Sequence, residues 1–70
     1  MAITANTTIA EVLKEKPNAK EVLAKHAGRP VGDNQLAMAV GMGMTIQQVA
    51  GYIGWNQEKI DAFVKDLNES

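Results

Sequence analysis

The 70-residue chain contains no cysteine, a single histidine, one residue each of Phe, Tyr and Trp, and no charged side chain between Asp33 and Glu58. Without thiols it can form neither a disulfide nor a thiolate metal site, and one imidazole falls short of the three or four ligands that zinc requires. No set of nucleophile, base and orienting carboxylate can be assembled around His26, so the expectation is no enzyme, no metal and no cofactor. The uncharged stretch is not a membrane span: Asn34, Gln35, Gln47, Gln48 and four glycines interrupt it, and no long apolar run exists. The opening MAITANTTIA lacks the basic start and apolar block of a secretory signal, which makes a cytoplasmic location the expectation.

A net charge of -1 argues against a polyanionic partner, because nucleic-acid affinity rests largely on Lys and Arg neutralising phosphates. The charge is unevenly spread. Residues 1 to 32 hold five bases and three acids, and residues 33 to 70 hold two bases and five acids. Seventy residues make one domain that buries only ~60% of the surface its unfolded chain exposes. The core is expected to be thin, with oligomerisation remaining as a stabiliser.

What is present is a repeat. TIAEVLKEKPNAKEVL, from Thr8, is echoed 37 residues later by TIQQVAGYIGWNQEKI, from Thr45. In each copy a Thr precedes an Ile, with Glu11 or Gln48 three positions on, the pattern of a capping box at a helix start. The prediction is an all-α single domain of about five short helices, arranged as two related helical hairpins. Residues 1–7 form an extended lead-in, 8–27 the first hairpin, 28–44 a central turn and short helix, and 45–68 the second hairpin.

Helix 1 is predicted from Ile9 to Lys16 and ends at Pro17, which is also suited to the first turn of helix 2. Helix 2 turns Ala19, Val22 and Leu23 inward and closes at Gly28. After the turn GRPVGD, helix 3 takes Asp33 or Asn34 as its cap and ends in the Gly41–Gly43 tripeptide. Helix 4 spans Ile46 to Ile53, with Ile46, Val49, Ala50 and Ile53 inward, and stops at Gly54. Helix 5 is capped by Asn56 and carries Ile60, Phe63, Val64 and Leu67 at helical spacing. The predicted core is Ile9, Val12, Leu13, Val22, Leu23, Leu36, Ile46, Val49, Ile53, Ile60, Phe63 and Leu67.

Four features could carry function. Ala50, Gly54 and Ile60 follow the order of a helix-turn-helix, but residues 57 to 69 hold four acids and two bases, the wrong sign for a phosphate backbone. His26, near the end of helix 2, is suited to the helix dipole and the terminal carbonyls. Neither GRPVGD nor GMGM has the Gly-Lys-Ser/Thr ending of a P-loop, so both are read as turns. In the uncharged middle, Met38, Met42, Met44, Tyr52 and Trp55 gather. Methionine adapts to partners, and Trp and Tyr recur at interface hot spots, yet the same side chains could simply fill a thin core.

The stretches ITANTTIAEVLKEKPNAKEVLAKHAGRPVGD and MTIQQVAGYIGWNQEKIDAFVKDLN resemble a small bacterial helical domain of unknown function, some of whose members are described as hybrid-cluster-protein-associated redox disulfide domains. The resemblance runs from Ile3 to Asn68. It implies an all-helical fold and a contact region at the central turn, where redox members carry Cys-x-x-Cys. Here Pro30 and Asp33 occupy the places of the two sulfurs, so thiol exchange is lost.

The reading that follows is a non-enzymatic cytoplasmic module that binds another protein or itself, in the latter case as a homodimer, through Arg29, Pro30, Val31, Gly32, Asp33, Met38, Met42, Met44, Tyr52 and Trp55. The alternatives are a degenerate helix-turn-helix nucleic-acid binder and an apolar small-ligand pocket lined by Met38, Met44, Tyr52 and Trp55.

Overall fold

A computed structural model describes residues 2 to 69 and contains five α-helices: α1 (Ile9–Glu15), α2 (Ala19–Ala27), α3 (Asp33–Gly41), α4 (Ile46–Ile53) and α5 (Gln57–Glu69). The fold is all-α. Among the described residues the only β pairing is an isolated antiparallel bridge between Thr8 and Thr45.

That bridge joins the two copies of the repeat. The Ile9 N–H donates to the Met44 carbonyl at 2.9 Å, and the Ile46 N–H donates to the Thr7 carbonyl at 3.0 Å. Advancing the first bond by 37 residues reproduces the second with donor and acceptor segments exchanged, so the bridge is a local two-fold axis between the halves. Equivalent positions meet across it: the rings of His26 and Phe63, also 37 residues apart, pack edge to face with centroids at 5.6 Å. Each helix that leaves the bridge is then capped by its own Thr. At α4 the box is complete, with Thr45 Oγ1 accepting from the Gln48 N–H and Gln48 Oε1 accepting from the Thr45 N–H. At α1 only the first bond forms, from the Glu11 N–H to Thr8 Oγ1 at 3.3 Å.

The Gln47 N–H bonds the Ala5 carbonyl at 2.8 Å, so three free donors of the first α4 turn are satisfied by the bridge, the lead-in and the cap. The lead-in is held at its other end too. Asn68 accepts from the Ile3 N–H and donates to the Ile3 carbonyl, both at 2.9 Å, tying residue 3 to the last turn of α5.

The helix ends follow local chemistry. Lys16 is extended (φ -129°, ψ 90°), as the residue before a proline must be to avoid the ring, so α1 stops at Glu15. Pro17 lies outside α2, correcting its expected place in the first turn, and Asn18 is the N-cap. Gly28 and Gly54 take left-handed conformations, with φ 72° and 84°, and end α2 and α4. The cap of α3 is Gly32, not Asp33 or Asn34. Asp33 is instead the first helical residue, where its charge suits the helix N-terminus and its carboxylate pairs with Lys20. Asn56 caps α5 as expected, accepting from the Lys59 N–H at 2.9 Å.

The core consists of Ile3, Ile9, Val12, Ala19, Leu23, Ala39, Ile46, Ala50, Ile60, Phe63 and Leu67. Leu13, Val22, Leu36 and Val49 are only half-buried against it. Ile53 departs from expectation and is 38% exposed, because the face that α4 buries is the narrow pair Ile46 and Ala50. Packing of α2 on α5, α1 on α2 and α3, and α4 on α5 leaves the outward faces of α3 and α4 uncovered.

Candidate functional site

The turn between α3 and α4 sets these two helices as the walls of a groove. Met38 on α3 and Met42 at its C-cap sit one turn apart, while on α4, Val49, Tyr52 and Ile53 share one face at i, i+3, i+4 spacing. The groove has a volume of about 510 Å³ and is closed at the bottom by Ala39, Met44, Ile9 and Leu23. Ala27, Arg29 and Val31, from the end of α2 and the central turn, complete it with Gln35 and Leu36.

Exposure is concentrated here. Met38 is 65% exposed, Met42 69% and Tyr52 86%, and with Val40 and Ile53 they are all the large hydrophobic side chains exposed among the described residues. All five belong to α3, its C-cap Met42 and α4. Of the lining side chains only Arg29 and Tyr52 are ionisable.

The structure brings together six of the ten residues expected at the functional surface: Arg29, Val31, Met38, Met42, Met44 and Tyr52. Pro30 and Gly32 are exposed in the adjoining turn but do not line the groove. Asp33 points its carboxylate at Lys20. Trp55 is elsewhere: half-buried, its ring lies edge-on to Phe63 at 5.4 Å, with Lys59 Nζ 5.6 Å from its centroid. It packs the α2–α5 side. Val49, Ile53 and Leu36 are groove residues that the sequence assigned to the core, since helical spacing reports a shared face without saying what covers it.

His26 has a different setting. In the last turn of α2, its Nε2 lies 2.9 Å from Asp66 Oδ2 on α5, and its ring is tilted against Trp55 at 6.4 Å. The bond from His26, supported by Lys25 at 3.6 Å, holds the Asp66 carboxyl below its ordinary pKa despite partial burial of the side chain. This is a clasp between helices. No group of three or more His, Cys, Asp or Glu among the described residues is placed to hold a metal ion, and no helix there is long and apolar enough to cross a membrane.

Compared with models of known families, with curated proteins and with solved structures, the chain matches none.

Proposed function

We propose that the chain is a non-enzymatic helical interaction module, cytoplasmic in location, that docks the surface of another protein or of its own kind in the α3–α4 groove. One observation carries this reading: every exposed large hydrophobic side chain of the described residues lies on these two consecutive helices or at the C-cap of the first, Met42. Single apolar side chains scattered over a surface need no explanation, whereas a contiguous set around a groove marks a place where another surface sits. Methionines and a tyrosine suit such a place, the former by adapting their shape and the latter by offering a rigid ring with a polar tip.

In the same reading the chain is a cysteine-less relative of the redox-disulfide helical domains it resembles. Pro30 and Asp33 replace the sulfurs, and the ion pair of Asp33 with Lys20 gives this turn a structural role instead. The helix-turn-helix alternative has less in its favour. The helix that would enter DNA carries Glu58, Asp61, Asp66 and Glu69, while its Lys59 is engaged with the Trp55 ring.

A small apolar ligand is the second reading, favoured by a groove volume within the ~300–1,000 Å³ common for ligand sites and by Arg29 as a single anion-binding group. Native mass spectrometry of the purified protein separates the two, since a retained ligand adds a discrete mass.

The test of the docking reading is a series of amide and methionine-methyl spectra, first across protein concentration and then on addition of the products of neighbouring genes. Shifts at Met38, Met42, Tyr52 and Ile53 are expected. Shifts confined to the charged face of α5, or none in any series, contradict it.

A further inference from the structure

Taking the α3–α4 face as the docking surface proposed above, we infer that its occupant is a second copy of this chain, joined face to face about a two-fold axis with α3 and α4 of each copy at the centre. A contact of this kind sets one patch against itself, so a charge near its middle meets its own like. The patch is built without them. After Asp33, which is engaged with Lys20, neither α3 nor α4 carries a charged residue, and among the described residues Arg29 is the one cation lining the groove. A partner recognised through opposite charge would find little here to meet it. A second copy finds Met38, Met42 and Tyr52, residue types enriched where protein surfaces meet.

The stability of so small a chain points the same way. A single core below about 70–80 residues stabilises a fold only modestly, and small natural domains add disulfides, a metal, association or unusually idealised helix packing. With no cysteine, and no metal-ligand cluster among the described residues, association is one device open to this sequence. Its core is modest, since three of the eleven buried hydrophobic residues among those described are alanines. A standard interface takes about 800 Å² from each partner, roughly a fifth of the 4474 Å² surface, so a dimer of this kind must use the outer faces of both helices and not the groove alone.

Sedimentation equilibrium of the full chain tests this. The wild type should approach twice its 7.5 kDa mass with rising concentration. Two double variants, Met42→Lys with Tyr52→Lys and Met42→Glu with Tyr52→Glu, should each remain monomeric with unchanged helical circular dichroism, because like charges then face each other. Mixed one to one, they should associate again. Should either double variant lose its helical signal, the single changes Tyr52→Lys and Tyr52→Glu replace it, since that ring is 86% exposed and supports no core. A wild type that stays monomeric to about 1 mM, where even a contact of ~4 kcal/mol would be half-formed, overturns the dimer. So do variants that dimerise as the wild type does, or a mixture that stays monomeric. If the monomeric wild type still shows shifts at Met38, Met42 and Tyr52 on addition of a neighbouring gene's product, the dimer falls and the docking face stands.

Discussion

Phe63 is the residue on which both halves of the molecule lean: 3% exposed, it meets the ring of its repeat-equivalent His26 and that of Trp55 edge to face. Truncation to Ala removes both contacts and leaves a void at the local two-fold, so Phe63→Ala should cost about 3–5 kcal/mol, read from urea unfolding. A loss below about 1 kcal/mol would mean the ring is not buried. Asp66 gives a pH-dependent counterpart. Its folded carboxyl, held down chiefly by the bond from His26, sits below the ordinary value of 3.8, so the clasp stabilises the fold above that value and is lost as pH falls through the lowered one. Asp66→Asn should therefore destabilise at pH values above 3.8, and the gap between wild type and variant in thermal melts should narrow as the pH falls below 3.8. A gap that widens on acidification would contradict the clasp. The histidine's place at a helix end was legible in the sequence, but its partner was not, because no local pattern links residues 40 positions apart.

At the level of elements, the helices were legible because their ends are written in short-range chemistry: Thr45 with Gln48, Asn56 before α5, and the left-handed glycines at 28 and 54. The misreadings came where a neighbour competed. Asp33 can cap a helix or pair with a base, and Lys20, thirteen residues back, takes it. Ile3 stands alone in a polar segment with no periodicity to reveal it, yet it is 2% exposed because the Asn68 amide grips its backbone from the far end of the chain. Met38 and Met42 were legible as residues that either fill or contact, and α3 resolves the choice by burying its small Ala39 instead. The two Thr caps make a further prediction. Thr45→Ala and Thr8→Ala should each cost ~0.5–2 kcal/mol, because each removes one bond to a side-chain hydroxyl, while the bond from the Thr45 backbone N–H to Gln48 Oε1 survives in alanine. Denaturant midpoints of the two variants check this, and a loss near zero at either would contradict it.

At the level of the molecule, a 37-residue repeat folds into two hairpins joined through a two-fold bridge, and the segment between them, with the first helix of the second half, is left holding the exposed apolar surface. A sequence can show that Met38, Met42 and Tyr52 lack charged neighbours. It cannot show that they surround one groove, because that depends on how α3 turns back toward α4 and on which helix covers which. In the reading proposed above, a second copy of the chain covers this groove when the protein works. That is tested most directly by the methionine-methyl and amide spectrum followed by dilution from about 1 mM to about 1 μM, the span over which contacts worth ~4–8 kcal/mol come apart. Concentration-dependent shifts are expected at Met38, Met42, Tyr52 and Ile53, with the outer face of α5 unchanged. A spectrum constant at those four residues throughout, or changes that cluster on Glu58, Asp61 and Lys65, would contradict it.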